Sequence, residues 1–301
     1  MLDDDRYAEL LETRVWHPEA IAEAAATRAH RLPLVGERGT LFLVAADHTA
    51  RGIMGVGARP AAMADRRELL DRLLTALSHP EVDGVVATAD VLEDLLLLGA
   101  LDHRVAIGSM NRGGLAGAVF ELDDRRTGWT VDGIRAAGLD GGKLLLRVAD
   151  GDPGTVATMV ACADAIDGLA GAGLMAVLEV LAARPLPRGG AEHDLAPDAM
   201  VRAVTVAAGL GSTSARTWLK LPVTEEMERV AAATTLPVLL LGGDPGREPG
   251  RTFTAWKQAL ALPQVRGLVA GRSLLYPDDG DVAAAVDAAA RLLATSTEAP
   301  R

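Results

Sequence analysis

Short apolar runs rich in β-forming residues recur along the chain, and each is followed by a segment with helical periodicity. Strands that alternate with helices in this way are typical of a parallel sheet, because each crossover helix packs back onto the sheet. There are eight such runs, the number of βα units that closes a barrel. The predicted strands are Leu41–Asp47, Gly84–Ala89, Arg104–Met110, Lys143–Ala149, Met175–Leu181, Thr217–Val223, Pro237–Gly242 and Arg266–Gly271. The predicted fold class is therefore α/β, a single (β/α)8 TIM barrel.

The segment before the first strand has helical rather than strand character. Residues 1–38 form a predicted N-terminal helical extension, and residues 39–296 form the predicted barrel domain. Residues 3–30 carry one or two helices, which we expect to cover the N-terminal face of the barrel. No shift in composition marks a further domain boundary, so one barrel domain is the simplest organisation.

Composition excludes several classes of function. The 301 residues carry a formal net charge of −11 and only nine aromatic residues (three Phe, two Tyr and four Trp), which suits neither nucleic-acid phosphates nor base stacking. No apolar run approaches the roughly 18 residues of a spanning helix, so we expect no membrane partner. One cysteine, Cys162, suits a reducing compartment. We therefore predict a cytoplasmic protein that acts on a small molecule. We also expect a homo-oligomer, although composition does not indicate the number of subunits.

Metal chemistry finds little support in the histidine pattern. The six histidines show no HxH, HxxxH or HExxH spacing, and a single cysteine cannot build a thiolate site. We therefore predict no metal and no cofactor.

Lysine is scarce, which makes each lysine informative. Of the 30 basic residues only Lys143, Lys220 and Lys257 are lysines, and the first two lie in predicted strands. A lysine in an apolar strand is costly, because burial opposes its charge. Lys257 stands in a predicted helix and is expected to face solvent.

Four ionisable residues stand among apolar neighbours in the predicted strands: Asp47, Lys143, Glu179 and Lys220. If all point inward, they form one cluster in the barrel. Burial and the charge of Lys143 would lower the pKa of Lys220, and the neutral amine could then attack a ketone to form a Schiff base. Glu179, with its pKa raised by the apolar strand, could shuttle the proton. Alternatively, Lys220 and Glu179 form a structural ion pair or face the helices, and Asp47 caps the next turn.

The ends of the last two predicted strands offer an anion site. Glycines there would let backbone N–H groups approach a phosphate, and an arginine at the start of the next helix would complete the site. The candidate phosphate ligands are Gly242, Gly243, Gly271 and Arg272, with Arg51 and Arg147 as further candidates. The alternative is that tight strand-to-helix turns need glycine for their geometry alone. Two long loops, Asn111–Trp129 and Arg184–Ala196, could close over the mouth as lids.

Several motifs resemble those of one enzyme family. The strand ends AADHTARG, KLLLRVADGD, AVLEVL and WLKLPV are similar, in this order, to the strand motifs of barrel-type class I aldolases such as the tagatose-bisphosphate and sulfofructose-phosphate aldolases. The resemblance implies that Lys220 is the Schiff-base lysine, that Glu179 is the acid/base group, and that Lys143 and Asp47 bind substrate. This sequence departs from that pattern at His48 and in the residues that follow it.

The long loop SMNRGGLAGAVFELDDRRTGW resembles a narrower group, the deoxyribose-phosphate-aldolase-like proteins that accompany inositol degradation in actinobacteria. By this resemblance the substrate is a phosphorylated sugar, 5-dehydro-2-deoxygluconate 6-phosphate, cleaved to dihydroxyacetone phosphate and malonate semialdehyde. Two alternatives stay open. One is a deoxyribose-phosphate or other sugar-phosphate aldolase, and the other is a non-catalytic barrel that binds a sugar phosphate.

Overall fold

Eight parallel strands close into a barrel in the computed structural model, which describes residues 2–243 and 249–297. The eight strands pair in chain order, and the first pairs with the last, which closes the barrel. The prediction of a (β/α)8 barrel is confirmed. The barrel strands are β1 Leu41–Ala45, β2 Gly84–Ala87, β3 Val105–Ser109, β4 Gly141–Val148, β5 Met175–Pro185, β7 Thr217–Leu221, β8 Val238–Leu241 and β9 Val265–Ala270.

Helices surround the strands in one outer layer. They are α1 Asp4–Trp16, α2 Ala20–Thr27, α3 Arg66–Ser78, α4 Ala89–Leu97, α5 Val131–Ala136, α6 Pro153–Gly171, α7 Pro197–Ala208, α8 Met227–Ala231, α9 Pro249–Ala259, α10 Arg272–Leu275 and α11 Val282–Thr297. Several begin where a side chain caps the first turn, as Asp65 does by accepting from the N–H of Glu68 at α3. Within the described ranges, no helix is long and apolar enough to span a membrane.

One strand was not predicted. The segment expected to form a lid, residues 184–196, extends β5 and then returns as β6 (Ala191–His193), which pairs antiparallel with the end of β5. The turn between the two strands uses Gly189 and Gly190, both with positive φ (93° and 83°), a conformation that favours glycine. This hairpin stands at the carboxyl end of the barrel strands.

The lower interior of the barrel is apolar. Inward-facing side chains of the strands pack there as one cluster, closed from below by the partly buried Leu34 and Val35. The buried members are Leu41, Leu43, Ala45, Val86, Val105, Ile107, Met175, Val177, Leu239 and Val269. A second and larger cluster fills the space between strands and helices. Among the described residues, the lower barrel is therefore a packed core, and the space for a ligand in the barrel lies at its carboxyl end.

The N-terminal helices do not cover the bottom of the barrel, contrary to the prediction. Helix α1 lies against α4 on the flank, where Arg14 Nε donates to Asp94 Oδ1 at 2.7 Å, and α2 also contacts α4. The chain after α2 reaches the bottom instead, where Arg28 donates to the carbonyl oxygen of Arg104 at 2.8 Å. The physical reason is that α4 offers the carboxylates of Glu93 and Asp94 to Arg14, whereas the apolar side chains of Leu34 and Val35 pack against the lower interior.

Candidate active site

A cavity of about 530 Å³ opens at the carboxyl ends of the strands. Nine of the ten residues predicted for the site line it. They are Asp47, Arg51, Lys143, Glu179, Lys220, Gly242, Gly243, Gly271 and Arg272. The tenth, Arg147, is not among the described residues that line the cavity.

A wider depression of about 990 Å³ adjoins this cavity and shares part of its wall. Its charged lining consists of Glu225, Glu226 and Glu228, so an anionic substrate would be repelled there. Its described lining includes neither a lysine nor an arginine. We therefore place the candidate site in the smaller cavity.

The four ionisable strand residues meet in this cavity. Lys143 Nζ lies 3.2 Å from Asp47 Oδ2 and forms an ion pair with Glu179, while Lys220 Nζ lies 3.2 Å from Glu179 Oε2. The side chains of Lys143 and Lys220 are only 1% and 4% exposed. The two lysines therefore share one carboxylate out of bulk water.

The register of the strands explains why these residues meet. In β5, Met175 and Val177 face the apolar interior, and Glu179 is the next residue of the same parity. In β7, Trp218 packs against that interior and Lys220 follows two residues later. Glu179 and Lys220 are direct partners in the pairing of β5 with β7. The barrel thus changes from apolar to charged within one layer of side chains.

Arg112 completes the group and was missed by sequence reasoning. It follows β3 directly, forms an ion pair with Asp47, and its Nε donates to Ser109 Oγ at 2.8 Å. Ser109 in turn donates to Asp47 Oδ2 at 2.8 Å. Its place just past a barrel strand was the available signal. We call Asp47, Arg112, Lys143, Glu179 and Lys220 the lysine cluster.

Burial changes the titration of the lysine cluster. It lowers the pKa of Lys220, and the positive charges of Arg112 and Arg272 add to this against the opposing effect of Glu179. Burial and Arg112 also hold the pKa of Lys143 well below its usual range. Both amines therefore give up a proton more readily than a lysine in water.

The predicted titration of Glu179 is wrong. Burial by itself would raise the pKa of this carboxyl, but Lys143 and Lys220 hold it well below its usual range. The prediction considered only the apolar strand, whereas two amines on the neighbouring strands β4 and β7 touch the carboxylate. Glu179 is thus ionised and can accept a proton, although the two amines make it a weaker base than an ordinary carboxylate.

A second buried charge group lies above the cavity. Arg147 Nη1 donates to Glu121 Oε1 at 2.7 Å, Arg51 Nη2 donates to the same oxygen at 3.2 Å, and Arg147 Nη2 lies 3.3 Å from Asp124 Oδ2. We call Arg51, Glu121, Asp124 and Arg147 the arginine cluster. Both guanidinium groups are engaged by carboxylates of the same chain, which corrects the prediction that Arg147 is a phosphate ligand. Arg51 lines the cavity but is held in the same way.

Glu121 also ties together the two segments that were predicted to be lids. Its Oε2 accepts from the N–H of Gly117 at 2.7 Å and from the N–H of Ala191 at 3.1 Å. Gly190 N–H also donates to the carbonyl oxygen of Ala118 at 2.9 Å. Residues 111–129 and the β5–β6 hairpin are therefore bonded to each other in this structure.

The glycines of the predicted phosphate site have a packing reason as well. A Cβ on Gly271 would lie 2.4 Å from the carbonyl oxygen of Ala45, and one on Gly242 would lie 2.6 Å from Ser273 Oγ. Gly243 has a φ of 63°. Helix α10, which starts at Arg272, has only four residues. Any anion at this end would therefore depend mainly on the Arg272 side chain.

Within the part of the chain that the structure describes, no three His, Cys, Asp or Glu side chains are grouped so that they could hold a metal ion. Two further histidines line the cavity, His48 after β1 and His193 on β6. Sequence reasoning noted His48 only as a departure from the aldolase motif. Its position directly after Asp47 at a strand end was a usable signal.

The fold and the site define a class of protein: a closed (β/α)8 barrel with amines and carboxylates buried together at the carboxyl ends of its strands. The particular family is shown by a family model, described as Cgl0159-like, that matches residues 39–290. The chain therefore belongs to the Cgl0159-like family. A comparison with curated protein sequences finds no match.

Solved structures agree with this assignment. The crystal structure of Cgl0159 from Corynebacterium glutamicum is 50% identical, with a TM-score of 0.94 over 97% of this chain and 98% of that chain. An archaeal fructose-1,6-bisphosphate aldolase, with its catalytic lysine covalently bound to the carbinolamine intermediate of the substrate, is 18% identical, with a TM-score of 0.63 over 91% of this chain and 99% of that chain. A fructose-bisphosphate aldolase from Slackia heliotrinireducens is 14% identical, with a TM-score of 0.60 over 100% and 96%. At these low identities the two aldolases share the fold with this chain.

Proposed function

We propose that this protein is a class I aldolase that cleaves a phosphorylated ketose through a Schiff base on Lys220. The observation that carries the proposal is the buried Lys220 amine, which lies 3.2 Å from the Glu179 carboxylate. Lys220 lines the cavity at the strand ends, and among the described pockets this is the one with lysine side chains in its wall. The fold shared with Schiff-base aldolases supports it. We assign the activity to residues 39–296, with residues 1–38 as an extension.

The contacts of the lysine cluster favour Lys220 over Lys143 as the nucleophile. The two carboxylates of the cluster carry two negative charges, and Arg112 supplies one positive charge. One protonated lysine is therefore enough to make the cluster neutral. Lys143 touches both Asp47 and Glu179, whereas Lys220 touches only Glu179. Burial and Arg112 lower the pKa of Lys143 strongly, but only Lys143 contacts a second carboxylate. We therefore assign the shared proton to Lys143 on the basis of its contacts, which leaves Lys220 as the neutral amine that a Schiff base requires.

The chemistry follows from these positions. The Lys220 amine adds to the ketone carbon, and loss of water leaves an iminium ion, with Lys143 supplying the proton that departs with the water. Glu179 then removes the proton of the hydroxyl group two carbons away. The carbon–carbon bond breaks, an aldehyde leaves, and the electron pair passes to the iminium to form an enamine. Protonation of the enamine carbon and hydrolysis release the second product and free Lys220.

The charge of the cavity supports a phosphorylated substrate. Its described lining carries five basic side chains, Arg51, Arg112, Lys143, Lys220 and Arg272, and two acidic ones, Asp47 and Glu179. With Lys220 neutral and Arg51 paired with Glu121, three cations still face two carboxylates. This local excess of positive charge occurs in a chain with a net charge of −11. A cavity of that sign raises the local concentration of an anionic ligand. We propose that Arg272, with the backbone of Gly243 and Gly271, holds the phosphate.

The resemblance of residues 109–129 to inositol-associated proteins supports a particular substrate. In 5-dehydro-2-deoxygluconate 6-phosphate the ketone is next to the phosphate-bearing carbon, so one Lys220 Schiff base yields dihydroxyacetone phosphate and malonate semialdehyde. Such metabolites suit a cytoplasmic enzyme. A deoxyribose-phosphate or other sugar-phosphate aldolase would use the same cluster on a different chain length, and a non-catalytic barrel would bind the phosphate without forming a covalent adduct.

Reductive trapping tests the proposal. The protein is incubated with dihydroxyacetone phosphate, reduced with sodium borohydride and examined by intact mass and peptide mapping. We expect one adduct on Lys220, lost in Lys220→Met and kept in Lys257→Met, since Lys257 is exposed on α9. Binding without an adduct would favour the non-catalytic barrel. An adduct on Lys143 would reverse the roles of the two lysines.

A further inference from the structure

His48 occupies a distinct part of the cavity. It follows Asp47, but whereas Asp47 contacts Lys143 and Arg112, the His48 ring packs against Gly271 at the end of β9. A Cβ on Gly271 would lie 2.6 Å from His48 Cε1, so the absence of a side chain there makes room for the ring. The ring thus stands on the side of the cavity that holds Arg272, with Lys220 close enough to affect its charge.

The backbone holds this histidine firmly. The carbonyl oxygen of His48 accepts from the N–H of Arg51 at 3.1 Å and from the N–H of Ile53 at 3.3 Å, across the short 3-10 turn Thr49–Arg51. The ring nitrogen Nδ1 is buried and has no hydrogen-bond partner among the described residues. Nε2 is not among the buried atoms without a partner, and His48 lines the cavity, so Nε2 is the ring nitrogen that a ligand can reach. The inference that follows assigns the ring proton to Nε2.

We propose that the Nε2–H group of His48 donates a hydrogen bond to the oxygen of the substrate ketone while Lys220 adds to its carbon. The inference rests on the proposed function and deepens it, because it assigns a catalytic group for the addition step. Arg272 is assigned to the phosphate, and Arg112 is engaged by Asp47 and Ser109. Lys143 acts at the later loss of water, so the addition step is assigned to His48.

The step balances without a further reactant. The lone pair of Lys220 forms the carbon–nitrogen bond, the carbon–oxygen π bond breaks, and its electron pair moves onto the oxygen that faces His48. The Glu179 carboxylate takes a proton from the new ammonium nitrogen and returns it to that oxygen. His48 keeps its own proton throughout, because its part is to stabilise the developing charge.

The surroundings keep the imidazole neutral. Burial, followed by the positive charges of Arg272 and Lys220, lowers the pKa of His48 to about 3, with Glu179 opposing and Lys143 adding to the effect. With a pKa of about 3 the His48 ring is a weak base and stays neutral during the addition. Its N–H remains a donor across the working pH range.

Two substitutions of His48 distinguish the roles of its two ring nitrogens. The amide nitrogen of Gln can reach the position of Nε2, whereas that of Asn reaches only the position of Nδ1. The rate of adduct formation with dihydroxyacetone phosphate is measured by borohydride quenching over time, together with calorimetric binding and thermal unfolding. We expect His48→Asn to form the Lys220 adduct about 100-fold more slowly, since one lost donor to a developing oxyanion costs this much. We expect His48→Gln to recover most of the rate.

The controls make the outcomes distinct. His17→Asn removes an exposed histidine at the end of α1 and should leave the rate unchanged. Equal rates in His48→Asn and the wild type would overturn the inference. Equally slow rates in His48→Gln and His48→Asn, with binding and unfolding unchanged, would also overturn it. The absence of any adduct in the wild type would overturn the proposed function itself, and the inference with it.

Discussion

The lysine cluster and the arginine cluster are both buried groups of opposite charges near the carboxyl ends of the same strands. They differ in what their cations can do. The lysine cluster borders the cavity, and burial lowers the pKa of both its amines. The arginine cluster joins β4 to the loops above it through Glu121, whose oxygens also accept backbone N–H groups. The contrast shows that buried charge alone does not indicate a reactive site. A cation that can lose its proton, with room for a ligand beside it, is also needed.

The largest expected effect comes from making the lysine cluster resemble the arginine cluster. Lys220→Arg keeps a cation beside Glu179, but a guanidinium with a pKa above about 12 supplies no neutral amine. We expect cleavage to fall by at least about 10⁴-fold, as when other covalent nucleophiles are removed. Turnover is measured by coupled detection of dihydroxyacetone phosphate, with Lys257→Arg as control. Retained turnover would show that Lys220 is not the nucleophile.

The next largest effect is expected on the free energy of unfolding, and it tests whether the arginine cluster stabilises the fold. Glu121→Ala would leave the Arg51 and Arg147 guanidinium groups buried without their shared carboxylate. Breaking a buried pair by removing one partner costs about 3–5 kcal/mol of unfolding free energy. Urea unfolding measures this cost. The control is Glu81→Ala, which breaks the exposed pair with Arg38 and should cost about 1 kcal/mol or less. Similar costs for the two variants would contradict the structural role.

Arg272→Ala tests the anion site, which borders the lysine cluster. A charge-assisted hydrogen bond contributes about 1.5–3 kcal/mol, so we expect KM to rise about 10- to 100-fold. If the contact is equal in ground and transition states, kcat should change much less. Steady-state kinetics with the cleaved ketose phosphate provide both constants. The exposed Arg229→Ala serves as control. An unchanged KM would indicate that the phosphate binds near Arg51 and not at Arg272.

The smallest expected effect is on the pH dependence of stability, and it comes from His48 in the wall of the cavity. The unfolded chain protonates His48 below about pH 6.5, whereas the folded chain does not until about pH 3, so stability falls as the pH falls through this window. Between pH 7 and pH 5 the wild type should lose at most about 2 kcal/mol more than His48→Gln, because the ring is partly open to the cavity. Urea unfolding at the two pH values measures the difference. Equal losses would show that His48 titrates normally.

Local patterns were sufficient for the fold and for part of the candidate site. The period of each βα unit is set by neighbouring residues, and eight units imply a closed sheet whatever the details of packing. The β5–β6 hairpin was not predicted, because its pairing extends a strand already assigned and its turn glycines look like those of any loop. The position of α1 was missed for a related reason, since its partner Asp94 lies 80 residues away.

The sequence by itself determined the eight strands and singled out Lys143, Glu179 and Lys220 as costly residues in apolar strands. Only the tertiary structure decided which charges touch. It placed Lys143 and Lys220 against Glu179, and so reversed the predicted shift in the pKa of that carboxyl. It also showed that the Arg147 guanidinium group binds the Glu121 carboxylate and not a ligand. The physical reason is that a strand's alternation is local, whereas electrostatic energies depend on distances between residues far apart in the chain, which closure of the barrel sets.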